Sequence, residues 1–481
     1  MIRTRVIIKY LGYILLFNAL FLSISAMISF ANDEDSVSAL LFSALLTAAL
    51  GVFPQIFVEK IEEISFHEGL AISVMGWIIT CIVGMIPYYI WGGEFSLVNA
   101  LFESVSGYTT TGASILSDVE ALPKGLLFWR SSTTFIGGVG IILFVLLILP
   151  EKKGVQASFY RSEVSDLSKM NFRARSRYII RMIATVYFTL IVVETILLKL
   201  LGMTFFDAIC HSFSTVATAG FSTKNLSIAA YDNIWMELVI MFFMLISSMH
   251  FGLVYGTMTN QKTNIFTSRP ARMYMVVIFI GIILITFQLA QEKVYGLGES
   301  LRYASFQVIS LVSTTGLATV DTAKWPLFSI ILLLYYSMQC GMVGSTAGGI
   351  KFDRIYLFFA SVKKQFKSII HPEGMYVVKM DKKIIDHNLE LQVMIFIVAY
   401  LITMMTTTLL LATMGIDGMT SLSASIATIG NVGPGFGEVS SFGNYRELPD
   451  AAKYILSVNM LLGRLEIMNV FALFLLLCRK D

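Results

Sequence analysis

The chain has 481 residues, of which 56% are hydrophobic and only 14% are charged, and its net charge is +3. Soluble domains carry about 25% charged residues, so this composition excludes an ordinary soluble enzyme or nucleic-acid-binding protein. A mean hydropathy of +0.74 indicates instead an integral membrane protein that sits in a lipid bilayer.

Apolar runs of about 20 residues, the length that crosses a bilayer, recur along the chain. The first follows three basic residues and has no clear small-residue cleavage site, so we predict a membrane helix and not a signal peptide. The ten predicted spans lie near 10–30, 38–58, 70–91, 125–149, 182–202, 234–259, 273–291, 327–343, 391–414 and 453–478.

Lys and Arg cluster at the two termini and in only some of the connections between these spans. The basic clusters lie at 3–9, 152–181, 262–272, 351–383 and 479–480. With ten spans, all of these clusters fall on one side, which the positive-inside rule makes cytoplasmic. Both termini are therefore predicted to be cytoplasmic. The net charge of +3 reflects this sidedness, so no nucleic acid is predicted as a partner.

The connections on the other side of the membrane resemble one another. They read FESVSGYTTTGAS at 102–114, CHSFSTVATAGFS at 210–222, FQVISLVSTTGLA at 306–318 and LSASIATIGNVGPGFG at 422–437. Each has a short, Ser-rich apolar stretch and then a turn that ends in glycine. We align Gly112, Gly220, Gly316 and Gly433, while an alternative fourth register uses Gly430.

A small-residue site follows each aligned glycine inside the next helix, so the repeated unit is helix, pore loop, helix. The predicted fold is an all-α polytopic membrane protein with four pseudo-symmetric units of this kind. The predicted divisions are two N-terminal transmembrane helices at 1–68, then pore repeats at 69–152, 153–262, 263–388 and 389–481, the third with a broken second helix.

Non-helical backbone at membrane depth is tolerated where it is buried in protein or lines a wet cavity. Four strands around one axis can point carbonyl oxygens at a dehydrated cation, and glycine allows the backbone angles that this needs. The predicted ion-binding residues are Thr110, Thr111, Gly112, Thr218, Ala219, Gly220, Thr314, Thr315, Gly316, Asn431, Val432 and Gly433. The alternative is that Gly and Thr only mark tight turns, but four aligned loops favour the filter.

These loops resemble the filter segments of the Trk/Ktr/HKT superfamily of potassium transporters, and GSTAGGIK at 344–351 and GRLE at 463–466 resemble two further motifs of that superfamily. The length and the two extra N-terminal helices favour its TrkH-type membrane subunits. The resemblance implies that the four pseudo-symmetric units are potassium-channel-like. It also implies K⁺ as the transported ion, bound at the filter backbone carbonyls, and no organic cofactor in this chain. It also implies a homodimer, cytoplasmic TrkA-type nucleotide-binding regulatory subunits, and a place in the bacterial inner membrane.

The eighth span is interrupted by a glycine-rich run. Each glycine in a helix costs about 1 kcal/mol relative to Ala, and a broken helix is tolerated where it lines water. We predict that an intramembrane loop below the filter obstructs the pore, and the superfamily resemblance implies a gating loop at the same place. The predicted gate residues are Gly344, Ser345, Thr346, Ala347, Gly348 and Gly349. A glycine-rich face for helix packing is the alternative.

Arg464 lies well inside the last span. An arginine at a helix centre costs about 2.5–3.5 kcal/mol to insert, so it usually faces the protein interior and has a partner. We predict that Arg464 belongs to the gate, hydrogen-bonds carbonyls of the loop and acts as an electrostatic barrier. Glu466 is either its local partner or faces another helix, and a purely structural pair is the alternative.

Other polar residues give weaker signals. Asp118, Asp321 and Glu438 follow filters one, three and four, where they either concentrate cations or are ordinary solvated residues. Glu194 lies in an apolar span, where a packing or hydrogen-bonding role is favoured over ion binding. His250 departs from the glycine pattern of the other repeats, and the sequence offers no firm account of it.

We predict no enzymatic activity, because the sequence has no metal-binding cluster, no G-x-S-x-G and no Walker A loop. The competing transport mechanism is an alternating-access cation symporter that couples K⁺ to H⁺ or Na⁺. Such transporters often have inverted repeats, whereas the four loops here all enter from the same side. The pattern therefore favours a channel-like pore and leaves coupling open.

Overall fold

The structure is a computed structural model that describes residues 3–58, 64–148, 172–261, 263–380 and 383–478. These ranges are almost wholly α-helical. The first nine helices are α1 (Thr4–Ala31), α2 (Val37–Phe57), α3 (Phe66–Gly84), α4 (Ile86–Trp91), α5 (Leu97–Tyr108), α6 (Lys124–Ile148), α7 (Phe172–Leu200), α8 (Phe205–Ala217) and α9 (Ile234–Ser247). The others are α10 (Phe251–Met258), α11 (Arg269–Gln291), α12 (Leu297–Val312), α13 (Leu327–Met338), α14 (Phe352–Ile370), α15 (His387–Thr413), α16 (Gly418–Ile429), α17 (Asp450–Leu465) and α18 (Ile467–Cys478).

Six helical segments in the described ranges are long and apolar enough to cross a membrane, and two bent helix pairs also pass this test. The six are α1, α2, α3 with α4, α7, α11 and α15, and the bent pairs are α9–α10 and α17–α18. Each of the ten predicted spans coincides with a helix or a helix pair, including α6 and the shorter apolar α13. The chain is a multi-pass membrane protein. The basic segment 152–169, which supports the predicted orientation, lies outside the described residues.

The two N-terminal helices form a hairpin that packs on α6 of the first repeat. A Cβ added to Gly12 would lie 2.8 Å from the carbonyl oxygen of Gly51, so these small residues let the two backbones approach closely. The hydroxyls of Ser29 and Ser36 meet at 2.6 Å near the hairpin turn. The hairpin also contacts α3 through α1.

The second helices of the four repeats differ from one another. α6 runs without a break, whereas α9 and α10 meet at 112° and α17 and α18 meet at 100°. The third is interrupted after Met338. Sequence patterns predicted only this third break. At the second, the ring Nδ1 of His250 accepts a hydrogen bond from the N–H of Gly252 at 2.9 Å and caps α10, which accounts for the histidine at this position.

Two very short strands close the interruption in the third repeat. β1 (Gln339–Cys340) pairs in parallel with β2 (Ile350–Lys351), which leads directly into α14. Residues 341–349 between them form the segment that we call the intramembrane loop. A second pair, β3 (Lys379–Met380) and β4 (Lys383–Ile384), is antiparallel and lies between α14 and α15.

Candidate functional site

Four short helices, α5, α8, α12 and α16, precede the aligned glycines. They have 12, 13, 16 and 12 residues, so at about 1.5 Å per residue each is too short to cross a hydrocarbon core of about 30 Å. Side chains of Ser96, Thr204 and Asp417 cap the N-termini of three of them. The C-terminal ends are buried, and their partial negative charge lies next to the segments that follow.

Those following segments, 110–112, 218–220, 314–316 and 431–433, share one backbone conformation, and we call them together the filter ring. The first residue of each is left-handed: φ is 53° at Thr110, 55° at Thr218, 61° at Thr314 and 53° at Asn431. The glycine that ends each segment has a φ between 72° and 96°. Left-handed angles are uncommon outside glycine, so four matched occurrences identify one repeated structural unit.

The hydrogen bonds that end the four helices also match. The second residue of each segment, at 111, 219, 315 and 432, donates its N–H to the carbonyl five residues earlier at 2.8 to 2.9 Å. The first residue donates to the carbonyl three residues earlier at 3.0 to 3.2 Å. These two bonds define a Schellman motif, which satisfies the last carbonyls of a helix and turns the chain sharply.

Each aligned glycine abuts the next segment of the filter ring. A Cβ added to Gly112 would collide with the carbonyl oxygen of Ala219, one on Gly220 with that of Thr315, one on Gly316 with that of Val432, and one on Gly433 with that of Thr111. All four separations would be below 3.0 Å, which real Cβ atoms essentially never show. Because the fourth contact returns to the first segment, the four segments close around a common centre.

The fourth segment follows the others despite its different side chains. Gly433 has a φ of 96° and takes part in the ring, whereas Gly430 is right-handed, with a φ of −76°. The structure therefore has the register on Gly433. The side-chain amide of Asn431 donates to the hydroxyl of Thr111 at 3.0 Å and to the carbonyl of Met460 at 2.9 Å, so it ties the fourth segment to the first.

The intramembrane loop lies against the filter ring on the side where the short helices α8, α12 and α16 end. The N–H of Gly348 donates to the hydroxyl of Thr314 at 3.0 Å. The hydroxyl of Thr346 lies 3.0 Å from the carbonyl oxygen of Val216 and 3.3 Å from that of Ser247. Thr346 is only 1% exposed, so the loop is packed inside the protein.

The other predicted gate residues lie in the same loop. The carbonyl of Gly344 accepts a hydrogen bond from the N–H of Phe251 at 3.1 Å. The hydroxyl of Ser345 donates to the carbonyl of Met342 at 2.6 Å, and the ammonium of Lys351 donates to the carbonyl of Ala347. Gly348 and Gly349 are buried, and an added Cβ on Gly348 would collide with the carbonyl oxygen of Gly430.

Arg464 joins the intramembrane loop to the first repeat. Its Nη1 donates to the carbonyl of Thr346 at 2.6 Å, and its Nη2 donates to the carbonyl of Gly137 at 2.9 Å. The predicted contact between this guanidinium and a loop carbonyl is therefore present. Arg464 is the second-last residue of α17 and lies two residues before Glu466, where the chain bends by 100°.

Glu466 lies at that bend, with a φ of 62°. Its carboxylate accepts a hydrogen bond from Arg354 of α14 at 2.7 Å. Of the two placements that the sequence left open, this one corresponds to a contact with another helix. The guanidinium of Arg354 also lies 3.9 Å from the ring centroid of Phe396, so the bend is anchored by side chains of two neighbouring helices.

The three carboxylates that follow filters one, three and four in the sequence, Asp118, Asp321 and Glu438, lie in the outer loops. Asp118 is exposed and accepts a hydrogen bond from the Asn225 side chain at 2.8 Å, and this bond lowers the pKa of its carboxyl below the ordinary value. Asp321 caps a 3₁₀ turn through the N–H of Ala323 at 3.1 Å. Glu438 lies in another 3₁₀ turn, Gly437–Val439. Asp118 and Asp321 therefore also shape these loops.

One ion pair behind the filter ring was missed by sequence reasoning. Glu103 of α5 and Arg130 of α6 meet at 2.7 Å and are almost fully buried. The available signal was a carboxylate in the first pore loop together with an arginine inside the next apolar span. Among the described residues, no group of three His, Cys, Asp or Glu side chains could hold a metal ion.

Comparisons with known proteins agree with this architecture. The crystal structure of the potassium transporter TrkH from Vibrio parahaemolyticus superposes with a TM-score of 0.88 and 28% identity, and covers 98% of each chain. The Trk system potassium uptake protein TrkH of Escherichia coli K12 is 34% identical over 416 residues, 86% of each chain. Its namesake in Halomonas elongata is 32% identical over 476 residues, 98% of each chain.

The family described as TrkH, cation transport protein, matches residues 40–481. That match covers both parts of the site, the filter ring and the intramembrane loop with Arg464. It also covers most of the hairpin helix α2 and all of the chain that follows. The chain belongs to the TrkH family of cation transport proteins.

Proposed function

We propose that this protein takes up K⁺ across the cell membrane through the filter ring, with the four segments 110–112, 218–220, 314–316 and 431–433 acting as one selectivity filter. The observation that carries the proposal is the closed series of contacts from each glycine to the carbonyl of the next segment. Such a ring presents backbone oxygens from four sides, as a dehydrated monovalent cation requires. The potassium uptake named in the relatives supports K⁺ as that cation.

The intramembrane loop and Arg464 act as the gate in this proposal. The loop packs against the inner end of the ring through Gly348 and Thr314, where it would obstruct an ion leaving the filter. Arg464 holds the loop by the carbonyl of Thr346 and adds a positive charge that opposes cation passage. Opening would then require the loop to exchange these hydrogen bonds for water.

The assembly is part of the same proposal. The relatives are named as members of a Trk system, which supports an ion-conducting subunit that works with other components. We propose a homodimer in the bacterial inner membrane, with both termini cytoplasmic and with TrkA-type nucleotide-binding regulatory subunits bound on that side. We also propose that the chain is divided into a hairpin and four pore repeats. In each repeat, one of the short helices α5, α8, α12 and α16 leads into its own filter segment.

Growth of a potassium-uptake-deficient bacterium at low K⁺ tests the proposal. The intact chain, expressed with its regulator, is expected to restore growth, and Gly316→Ser is expected to abolish this rescue or admit Na⁺, because its side chain would collide with Val432. A matched control is Gly298→Ser, since a Cβ at Gly298 would meet nothing within 4 Å. Failure of the well-expressed intact chain to support growth would contradict potassium uptake.

A further inference from the structure

A buried ion pair lies directly behind the proposed filter. The Nε of Arg130, on α6, donates to a carboxylate oxygen of Glu103, on α5, at 2.7 Å. The side chains are 4% and 0% exposed. Removing two charges from water costs several kcal/mol per ion unless further hydrogen bonds offset that cost. The residues that supply these further hydrogen bonds are therefore the ones that the ion pair positions.

Those partners are the strands that leave the filter in two different repeats. The carboxylate of Glu103 accepts hydrogen bonds from the hydroxyl of Ser114 at 3.0 Å and from the N–H of Ile115 at 3.0 Å. Both residues follow Gly112 closely in the chain. The Glu103 carboxylate therefore fixes the strand of the first repeat immediately beyond its filter glycine.

Arg130 extends the contact to the second repeat. Its Nη1 donates to the carbonyl of Ser222 at 3.0 Å, and its guanidinium lies 3.5 Å from the ring centroid of Phe221. These residues directly follow Gly220. One ion pair thus ties together two neighbouring filter strands, and charge-assisted hydrogen bonds of this kind are shorter and stronger than neutral ones.

The other repeats have weaker versions of this brace at the matching position, nine residues before the filter glycine. His211 contacts the hydroxyl of Ser222 at 3.0 Å, and the amide of Gln307 lies 3.4 Å from the carbonyl of Val320. The fourth repeat has Ala424 there, and the adjacent Ser423 bonds Phe436 instead. The first repeat therefore has the only carboxylate among the four matched positions.

We propose that Glu103 and Arg130 are positioning residues that set ion selectivity by holding the first two filter strands in place. The inference rests on the proposed function of the ring. Neither side chain contacts the ion, and both act through the strand backbone. A strand freed from the pair can move its carbonyls inward around a smaller cation, so the loss of the brace admits Na⁺ before it stops K⁺ flux.

The test removes both charges together, because removal of one partner leaves a buried charge unpaired, whereas replacement of both is often tolerated. In Glu103→Gln/Arg130→Met, the K⁺ over Na⁺ permeability ratio of the full chain in proteoliposomes is expected to fall roughly tenfold, with K⁺ flux retained. Ser114→Ala removes one contact with the Glu103 carboxylate and is expected to lower the ratio by a smaller factor. It provides a milder test should the double variant fold poorly.

The matched control is Glu237→Gln/Arg302→Met, which removes another ion pair between repeats, at 2.7 Å. Arg302 also bonds Asp232, so the described contacts of this pair lie away from the filter strands. The brace alone would be overturned if Glu103→Gln/Arg130→Met and Ser114→Ala both left the selectivity ratio unchanged, while wild-type flux was selective for K⁺ and was altered by Gly316→Ser. A wild-type chain without K⁺ selectivity would overturn the proposed function itself.

Discussion

The filter ring and the second helices of the same four repeats have diverged to very different extents. In the ring, four segments with different side chains keep the same left-handed angles and the same pair of helix-ending hydrogen bonds. In the second helices, one is continuous, two are bent by 112° and 100°, and one is interrupted by a loop. The backbone is uniform where it lines the ring and varied where it surrounds the loop.

This difference has a physical reason. An ion at the centre of a ring interacts with all four segments at once, so each must present its carbonyls in a similar way. A gate needs only one element that moves, and the intramembrane loop is that element in our proposal. It bonds the second repeat through Thr346, its own repeat through Gly348, and the first and fourth through Arg464.

Replacement of a ring glycine should have the largest effect. Gly220→Ala combines a φ of 80° with a collision against the carbonyl of Thr315, so K⁺ flux is expected to fall about tenfold to a hundredfold, since strain of this kind costs about 1–3 kcal/mol. Tracer Rb⁺ flux in proteoliposomes measures it. Gly202→Ala is the control, because Gly202 has a φ of 106° but nothing within 4 Å of an added Cβ. Equal losses in the two variants would show that backbone strain alone, without the ring contact, causes the effect.

The ring was largely predictable from sequence because its signal is local and repeated. Four short motifs located the glycines, and the Asn431-Val432 segment was placed in the register that the structure has. The bends at His250 and Glu466 were not predicted, because each is a single irregularity within an otherwise apolar span. The Glu103–Arg130 pair joins residues 27 positions apart on two helices. The sequence shows a carboxylate and an arginine in two apolar segments, but it does not show that they contact one another.

Removal of the loop anchor should have the next largest effect. Arg464→Ala deletes the hydrogen bonds to Thr346 and Gly137, and basal Rb⁺ flux is expected to rise about tenfold, since hydrogen bonds to a charged group contribute about 1.5–3 kcal/mol. Arg464→Lys separates the two proposed roles of the guanidinium. It keeps the charge but lacks the planar fork, so flux between those of wild type and Arg464→Ala is expected. Unchanged basal flux in Arg464→Ala would refute the gate role.

A smaller change to the loop tests whether it is held by more than Arg464. Thr346→Val keeps the volume but removes the hydroxyl near the carbonyls of Val216 and Ser247. Basal flux is expected to rise about fivefold, as for the loss of one neutral hydrogen bond of about 1 kcal/mol. Thr403→Val is the control, because the hydroxyl of Thr403 bonds Ala399 within its own helix. If both variants raised flux equally, a general loosening of the protein would explain the result better than the loop contact.

Asp118 should contribute least, because its carboxylate bonds the Asn225 side chain and the N–H groups of Glu120 and Ala121, all in the outer loops. Asp118 is exposed, and its bond from Asn225 lowers the pKa of its carboxyl. The ordinary pKa of an aspartate is already about 3.9, and a lowered pKa keeps the carboxyl ionised to still lower pH. Asp118 therefore stays ionised between about pH 5 and 8, and the stability that its hydrogen bond adds is lost only as the pH falls through the lowered pKa. Asp118→Asn is therefore expected to lower K⁺ flux by less than about twofold at low ionic strength, with no change in pH dependence across that range and no effect at high salt, where screening removes steering. Flux measured at two salt concentrations checks this, and a large loss that persists in high salt would place Asp118 in the conduction path itself.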